Sequence, residues 1–174
     1  MAWYELIREV IDLRSFSNLW YWIALAVVWS TTSHWVLGVP YDMVLRARRH
    51  GGQSVDDLEV LVHINTNRLL HIGRVSGLWL LAIASFVLTG LAILGFYYWI
   101  EFAQAVFLLA FPLTIVGMLS LSTARLIEAG EGQGESLLRR LKIHRIITQT
   151  IGIISIFVTA MFGMFQNLSL GALG

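Results

Sequence analysis

One uninterrupted segment, residues 54–99, constrains the fold more than any other part of this chain. Its second half, residues 75–94, contains no charged side chain, and these twenty residues are enough to cross a bilayer. Its first half, residues 56–74, carries charges, two asparagines and two histidines. Because the segment has no proline, it is predicted to form one helix about 70 Å long. That is roughly twice the length that the hydrocarbon requires, so one half lies in lipid and the other stands outside it.

The composition predicts an integral membrane protein with a single domain, residues 1–174. The chain is 57% hydrophobic and only 13% charged, which is unusual for a soluble domain. It contains no cysteine, which excludes disulfides, thiolate metal sites and iron–sulfur clusters held by cysteine. The predicted fold class is all-α: an integral membrane four-helix bundle with an amphipathic N-terminal helix and helices extended into the cytoplasm.

The hydrophobic pattern divides the chain into one interfacial helix, four spans and two longer connections. The interfacial helix is predicted at about 3–14, where apolar and charged side chains fall on opposite sides. Ser17 is predicted to cap the first span, and tryptophans near both ends of that span are typical of a membrane interface. The spans are predicted at about 17–38, 75–98, 102–124 and 146–168, and the connections at 39–74 and 125–145.

The distribution of positive charge predicts the orientation. Ten of the twelve Lys and Arg residues lie in the two longer connections, which four spans place on the same side of the membrane. The positive-inside rule makes that side the cytoplasm and leaves both termini in the periplasm, as expected for a multi-pass protein of the bacterial inner membrane. The ten residues are Arg46, Arg48, Arg49, Arg68, Arg74, Arg125, Arg139, Arg140, Lys142 and Arg145.

Small residues at helical spacing predict which face of each span packs inward, because they allow helices to approach closely in lipid. For the fourth span these residues are Thr148, Gly152, Ser155, Thr159 and Gly163. For the third span they are Ala103, Ala110, Thr114, Gly117 and Ala124. For the second span they are Ala82, Ser85, Thr89 and Ala92.

Three histidines, His34, His71 and His144, are predicted to lie at about the same depth near the cytoplasmic interface. His63 and Asn67 share a helix face with His71 because they precede it by two turns and by one turn. Three interpretations stay open. The imidazoles could bind haem b or a metal ion, they could form a pH-sensitive polar cluster, or they could bond to neighbouring backbone and lipid headgroups.

The spans themselves carry few groups suited to chemistry. Residues 75–94, 103–124 and 146–165 contain no ionisable side chain, which counts against a proton-coupled transporter. A pore lined by Thr148, Gln149 and Thr159 in a homo-oligomer stays open. The sequence shows no nucleophile–base set, no paired acids in a pocket and no nucleotide-binding loop, so no enzymatic activity is expected.

The cytoplasmic side offers the most promising surface. Two basic clusters, at residues 46–49 and 139–142, are expected to set the topology and to contact anionic lipid headgroups. Alternatively they dock a soluble protein; no nucleic-acid partner is expected. The predicted surface for a partner or ligand consists of His63, Asn67, Arg68, His71, Arg74, Arg139, Arg140, Lys142 and His144.

Four stretches of the chain resemble a small family of multi-pass membrane proteins. They are SFSNLWYWIALA at 15–26, SHWVLGVPYDMV at 33–44, ILGF at 93–96 and EFAQAVF at 101–107. The family belongs to alphaproteobacteria of the Rhodobacter and Roseobacter group, and its members are often labelled "component of the SufBCD complex", the iron–sulfur assembly machinery. The resemblance implies a bacterial inner-membrane protein with an accessory role. This sequence itself offers neither a cysteine ligand nor an ATPase motif.

The leading hypothesis from the sequence is therefore a non-enzymatic accessory or assembly subunit of a larger membrane complex, with no cofactor. A homo-oligomeric ion channel is the second hypothesis. The third is a b-type haem protein that uses two of His34, His71 and His144 as ligands.

Overall fold

The computed structural model describes residues 15–171, and side-chain surroundings are described as far as residue 169. Nearly all of this part is helical, so the predicted all-α class is confirmed. The interfacial helix predicted at 3–14 lies outside the described residues. In chain order, the elements are a 3-10 turn at Ser15–Ser17, α1 at Leu19–His34, a hairpin of β1 at Trp35–Val36 and β2 at Val39–Pro40, α2 at Tyr41–His50, α3 at Gln53–Ala92, α4 at Glu101–Leu126 and α5 at Gly134–Gly171.

Three helical runs in the described residues are long and apolar enough to cross a membrane. They are Gln53–Tyr97, Glu101–Glu131 and Gly134–Ser169. The first two include a π-helical turn at the end of α3 and of α4, at Ile93–Tyr97 and Ile127–Glu131. The first run has 45 residues and agrees with the single long helix predicted from residues 54–99. α1, with 16 residues, is about 24 Å long and falls short of the roughly 30 Å of hydrocarbon.

The helix α1 is shorter at both ends than the first predicted span, about 17–38. α1 begins at Leu19 with Asn18 at the N-cap position, so the prediction that Ser17 caps it is wrong. The helix ends at His34 rather than near Gly38, because Leu37 and Gly38 have positive φ angles of 51° and 74°. Two positive φ angles in succession are typical of the tight turn in a two-residue hairpin, which here joins β1 to β2.

α5 lies between α1 and α4, and its buried stripe confirms the seam predicted for the fourth span. The five small residues of that seam are all buried. A Cβ atom on Gly152 would lie 2.8 Å from the ring of Trp29, so the absence of a side chain allows α1 to approach closely. Phe16, Tyr21, Leu25 and Trp29 then pack with Ala105 and Val116 of α4 in one apolar core.

The seam predicted for the third span is only partly buried, and the seam predicted for the second span is largely exposed. In α4, Ala103 and Ala124 are buried, Ala110 and Thr114 are half-buried, and Gly117 is exposed. In α3, the seam prediction is wrong, because Ala82, Ser85 and Thr89 are exposed and Ala92 is half-buried. α3 instead approaches α4 through two glycines: a Cβ atom on Gly73 would lie 2.9 Å from the side chain of Leu121, and one on Gly95 would lie 2.9 Å from the backbone nitrogen of Gln104.

The basic end of the molecule has a core of its own. α2, the first turns of α3 and the first turns of α5 enclose apolar side chains that include Val44, Leu58, Val62, Leu137 and Leu141. Each fully buried side chain of this kind contributes about 1.5–3 kcal/mol. Glu59 of α3 also accepts a 2.6 Å hydrogen bond from the backbone nitrogen of Gly134 at the start of α5. The charged half of α3 is therefore part of a packed unit, which we call the basic subdomain, and does not stand alone in solvent.

Candidate functional site

The predicted polar stripe on α3 lies on the outer surface of the basic subdomain. His63, Asn67 and His71 are all exposed, whereas Leu58, Val62, Thr66 and Leu70 face the interior of the same helix segment. Asn67 Nδ2 lies 3.0 Å from His63 Nε2, one helical turn away. The structure thus brings these three predicted residues together on one accessible face.

The predicted surface arginines differ in whether they already have a partner. Arg74 Nη2 donates to both carboxylate oxygens of Glu128, at 2.8 and 2.7 Å, and so ties α3 to the end of α4. Arg140 forms an ion pair with Glu131, with a 2.6 Å bond from Nη2 to Oε1. The hydrogen bond from Arg140 holds the pKa of the Glu131 carboxyl below its ordinary value. These two arginines therefore already have carboxylate partners on the protein surface.

Two further predicted cations remain on the surface. Arg139 and Arg48 line an open cleft of about 430 Å³ between α2 and the start of α5. Lys142 is exposed on α5. Arg139, Arg48 and Lys142 have no ion-pair partner among the described residues, so all three contribute to a positive surface at the basic end.

His144 differs from the other predicted histidines because it is buried. Only 4% of its surface is exposed, and its Nδ1 lies 3.0 Å from Thr123 Oγ1. His144 precedes the charge-free stretch that begins at residue 146, and burial lowers its pKa to about 4. The imidazole is therefore neutral at physiological pH and bonded within the protein.

The possible haem ligands do not share one environment. His34, at the end of α1, and His71, on the outer face of α3, are exposed, whereas His144 is buried between α4 and α5. Within residues 15–171, no three His, Cys, Asp or Glu side chains form a group that could hold a metal ion. No observation of this structure assembles the haem site that the sequence left open.

The residues predicted to line a pore lie on the inner side of α5 or close to it. Thr148 is 2% exposed and Thr159 is completely buried, and Gln149 beside them is half-buried. Both threonines belong to the stripe that faces α1 and α4. In a single chain they are covered by neighbouring helices, so a pore along this stripe requires those helices to separate.

The feature that sequence analysis missed is the exposure of the second span. No residue from 71 to 94 is buried. Leu78 is 84% exposed, Phe86 is 80% exposed and Trp79 is 74% exposed. The span packs on α4 along one narrow face and leaves the rest of its apolar surface uncovered.

A second missed feature is a buried amide pair that fixes the far end of the bundle. Gln104 Nε2 donates to the backbone oxygen of Gly95 at 2.7 Å, and Gln166 Nε2 donates to Gln104 Oε1. The pair links the end of the α3 run to α4 and α5. Glutamines near the ends of otherwise apolar helices are the sequence signal that could have revealed it.

Comparisons with family models, with curated proteins and with solved structures give no match to this chain. The family resemblance noted from the sequence therefore stays a prediction.

Proposed function

We propose that this protein is a non-enzymatic, multi-pass inner-membrane protein that serves as an accessory or assembly subunit of a larger membrane complex. The observation that carries the proposal is the uncovered second span. A helix that contacts its own chain along one narrow face has most of its surface free for lipid or for the helices of another protein.

The chemistry of the free surface favours a partner helix. Ala82, Ser85 and Thr89 lie among large exposed side chains such as Leu78 and Phe86. Alternating small and large residues suit helix–helix packing in lipid, where small residues permit close approach and large ones fill the grooves of the facing helix. A span surrounded only by lipid gains nothing from this alternation.

The basic subdomain supports the same role. Its own apolar core and the Glu59–Gly134 hydrogen bond hold α3 in position beyond the membrane. His63, Asn67 and His71 then lie on a rigid helix that continues directly into the exposed second span. A partner that packs along the span could therefore contact the polar stripe without any rearrangement.

The proposed topology has four spans, a cytoplasmic basic subdomain and both termini in the periplasm. α1 is shorter than the hydrocarbon, so this topology needs the flanking Ser15–Ser17 turn, the β1–β2 hairpin or local thinning of the bilayer to make up the difference. Trp20 and Trp22 at one end and Trp35 at the other are suitably placed as interfacial anchors. The channel and haem hypotheses have no comparable supporting observation.

Photo-crosslinking in native membranes tests the accessory role. With p-benzoylphenylalanine in place of Phe86, we expect an adduct that contains this chain and a different membrane protein. The matched control carries the same group in place of Phe157, which is 64% exposed on α5. Adducts with lipid alone at Phe86, an adduct pattern identical to that at Phe157, or purification in mild detergent only as a monomer or homo-oligomer would contradict the proposal.

A further inference from the structure

A cavity of about 370 Å³ opens between the end of α1, the hairpin, α3 and α4. Trp35 and Ile72, which line it, are 48% and 42% exposed. Arg68 and Asn65 of α3 line one part of the wall, and Thr32, Val116, Ser120 and His144 line another. The cavity is therefore open to the surroundings of the protein and has both polar and apolar walls.

Arg68 is the charged group of this cavity and has no ion-pair or hydrogen-bond partner within residues 15–171. Two other arginines, Arg74 and Arg145, have contacts of their own. Arg74 is bonded to Glu128, and the guanidinium carbon of Arg145 lies 3.8 Å from the centre of the Tyr41 ring. An exposed arginine at the wall of a cavity is suited to an anionic ligand, because its planar group donates several hydrogen bonds to a phosphate.

The residues that line the cavity lie at different depths. Ile72 lies one helical turn, about 6 Å, closer to the charge-free part of α3 than Arg68 does. Gly73 is beside Leu121, and Val116 lies five residues further into the span along α4. By helical rise, Arg68 and Val116 are thus about 15 Å apart along the membrane normal. A ligand that fills the cavity meets a guanidinium at one end, and at the other end a wall of Val116 together with the uncharged side chains of Thr32 and Ser120.

We propose that this cavity binds one anionic phospholipid. The phosphate lies at Arg68, and an acyl chain runs past Ile72 towards Val116 and Ser120. Basic pockets between spanning helices on the cytoplasmic side are a recognised type of site for anionic headgroups. The inference rests on the membrane placement given under the proposed function, but it does not depend on the existence of a protein partner.

Native mass spectrometry of the delipidated, full-length protein tests the site. On titration with phosphatidylglycerol, we expect one copy to bind more tightly than the rest and more tightly than phosphatidylcholine. R68Q should weaken that first binding event about tenfold or more, because a hydrogen-bonded charge is lost. R46Q removes the same charge from the basic cluster on the exposed face of α2, so it should weaken only the later, weaker binding events and leave the first one unchanged.

A second variant and inorganic phosphate test whether the cavity recognises the whole lipid or only its phosphate group. S120L places a larger side chain in the part of the cavity away from Arg68 and should also weaken phosphatidylglycerol binding while Arg68 is intact. Equal losses in R68Q and R46Q would overturn the proposal, because the lipid would then be held by general surface charge. Displacement of the lipid by inorganic phosphate at matched concentration would also overturn it, since the cavity would then recognise phosphate without the acyl chain.

Discussion

Replacement of Gly95 by alanine is expected to destabilise the protein by about 1–3 kcal/mol, the usual cost of forcing an extra methyl group into a close-packed site. A Cβ atom at this position would lie 2.9 Å from the backbone nitrogen of Gln104 and 3.2 Å from its Cα atom. Backbone atoms inside α4 cannot move aside as a flexible side chain can. The substitution should therefore push the end of the α3 run away from α4 and weaken the bond from Gln104 Nε2 to the Gly95 oxygen.

The chain provides a matched control five residues away. A Cβ atom on Gly90 would meet nothing within 4 Å, and alanine has the higher helix propensity. Unfolding in detergent with increasing denaturant should give a lower midpoint for G95A and an unchanged or slightly higher midpoint for G90A. Equal midpoints for the two variants would show that α3 and α4 do not meet at Gly95.

Acidification from pH 6.5 to pH 4 is expected to destabilise the protein through His144. Burial lowers the pKa of this histidine to about 4 in the folded protein, whereas an unfolded histidine titrates near 6.5. Below pH 6.5 the unfolded chain therefore binds a proton that the folded chain does not bind. The free energy of unfolding therefore falls as the pH is lowered from 6.5 to 4, by up to about 1.4 kcal/mol per pH unit.

A comparison of two variants with the original protein isolates the contribution of His144 to the pH dependence of stability. H144Q should have lower stability at neutral pH, because the contact with Thr123 changes, but it should lose less stability between pH 6.5 and pH 4 than the original protein. H63Q removes an exposed histidine and should follow the original pH profile. The measurement is the unfolding midpoint at each pH. Parallel profiles for H144Q and the original protein would contradict a buried, neutral His144.

Properties that depend on helix length and on local residue spacing could be predicted from the sequence. The absence of proline and of any strong break from residue 53 to 97 allows one continuous helix, and the structure has it. The seam of the fourth span was predictable because small residues repeat there every three or four positions, and α1 and α4 both pack against that stripe. In this case local periodicity and tertiary packing agree.

Properties that depend on which neighbour a helix meets could not be predicted in the same way. Ala82, Ser85 and Thr89 have the same spacing as a packed seam, yet α3 meets α4 through Gly73 and Gly95 instead. Of the three histidines predicted at one depth, His34 and His71 are exposed and His144 is buried, because depth along a helix does not fix the direction in which a side chain points. The hairpin was missed because a leucine at positive φ gives no signal in the sequence.

The central claim is that the chain crosses the membrane with its basic subdomain in the cytoplasm, and substituted-cysteine labelling tests it most directly. Because the chain has no cysteine, each variant carries a single thiol. Tyr98, in the turn before α4, and Lys142, on α5 near the basic end, are both exposed. In intact spheroplasts, a membrane-impermeant maleimide should label Tyr98→Cys at once and should label Lys142→Cys only after permeabilisation. Labelling of Lys142→Cys in intact spheroplasts, with or without labelling of Tyr98→Cys, would contradict the account.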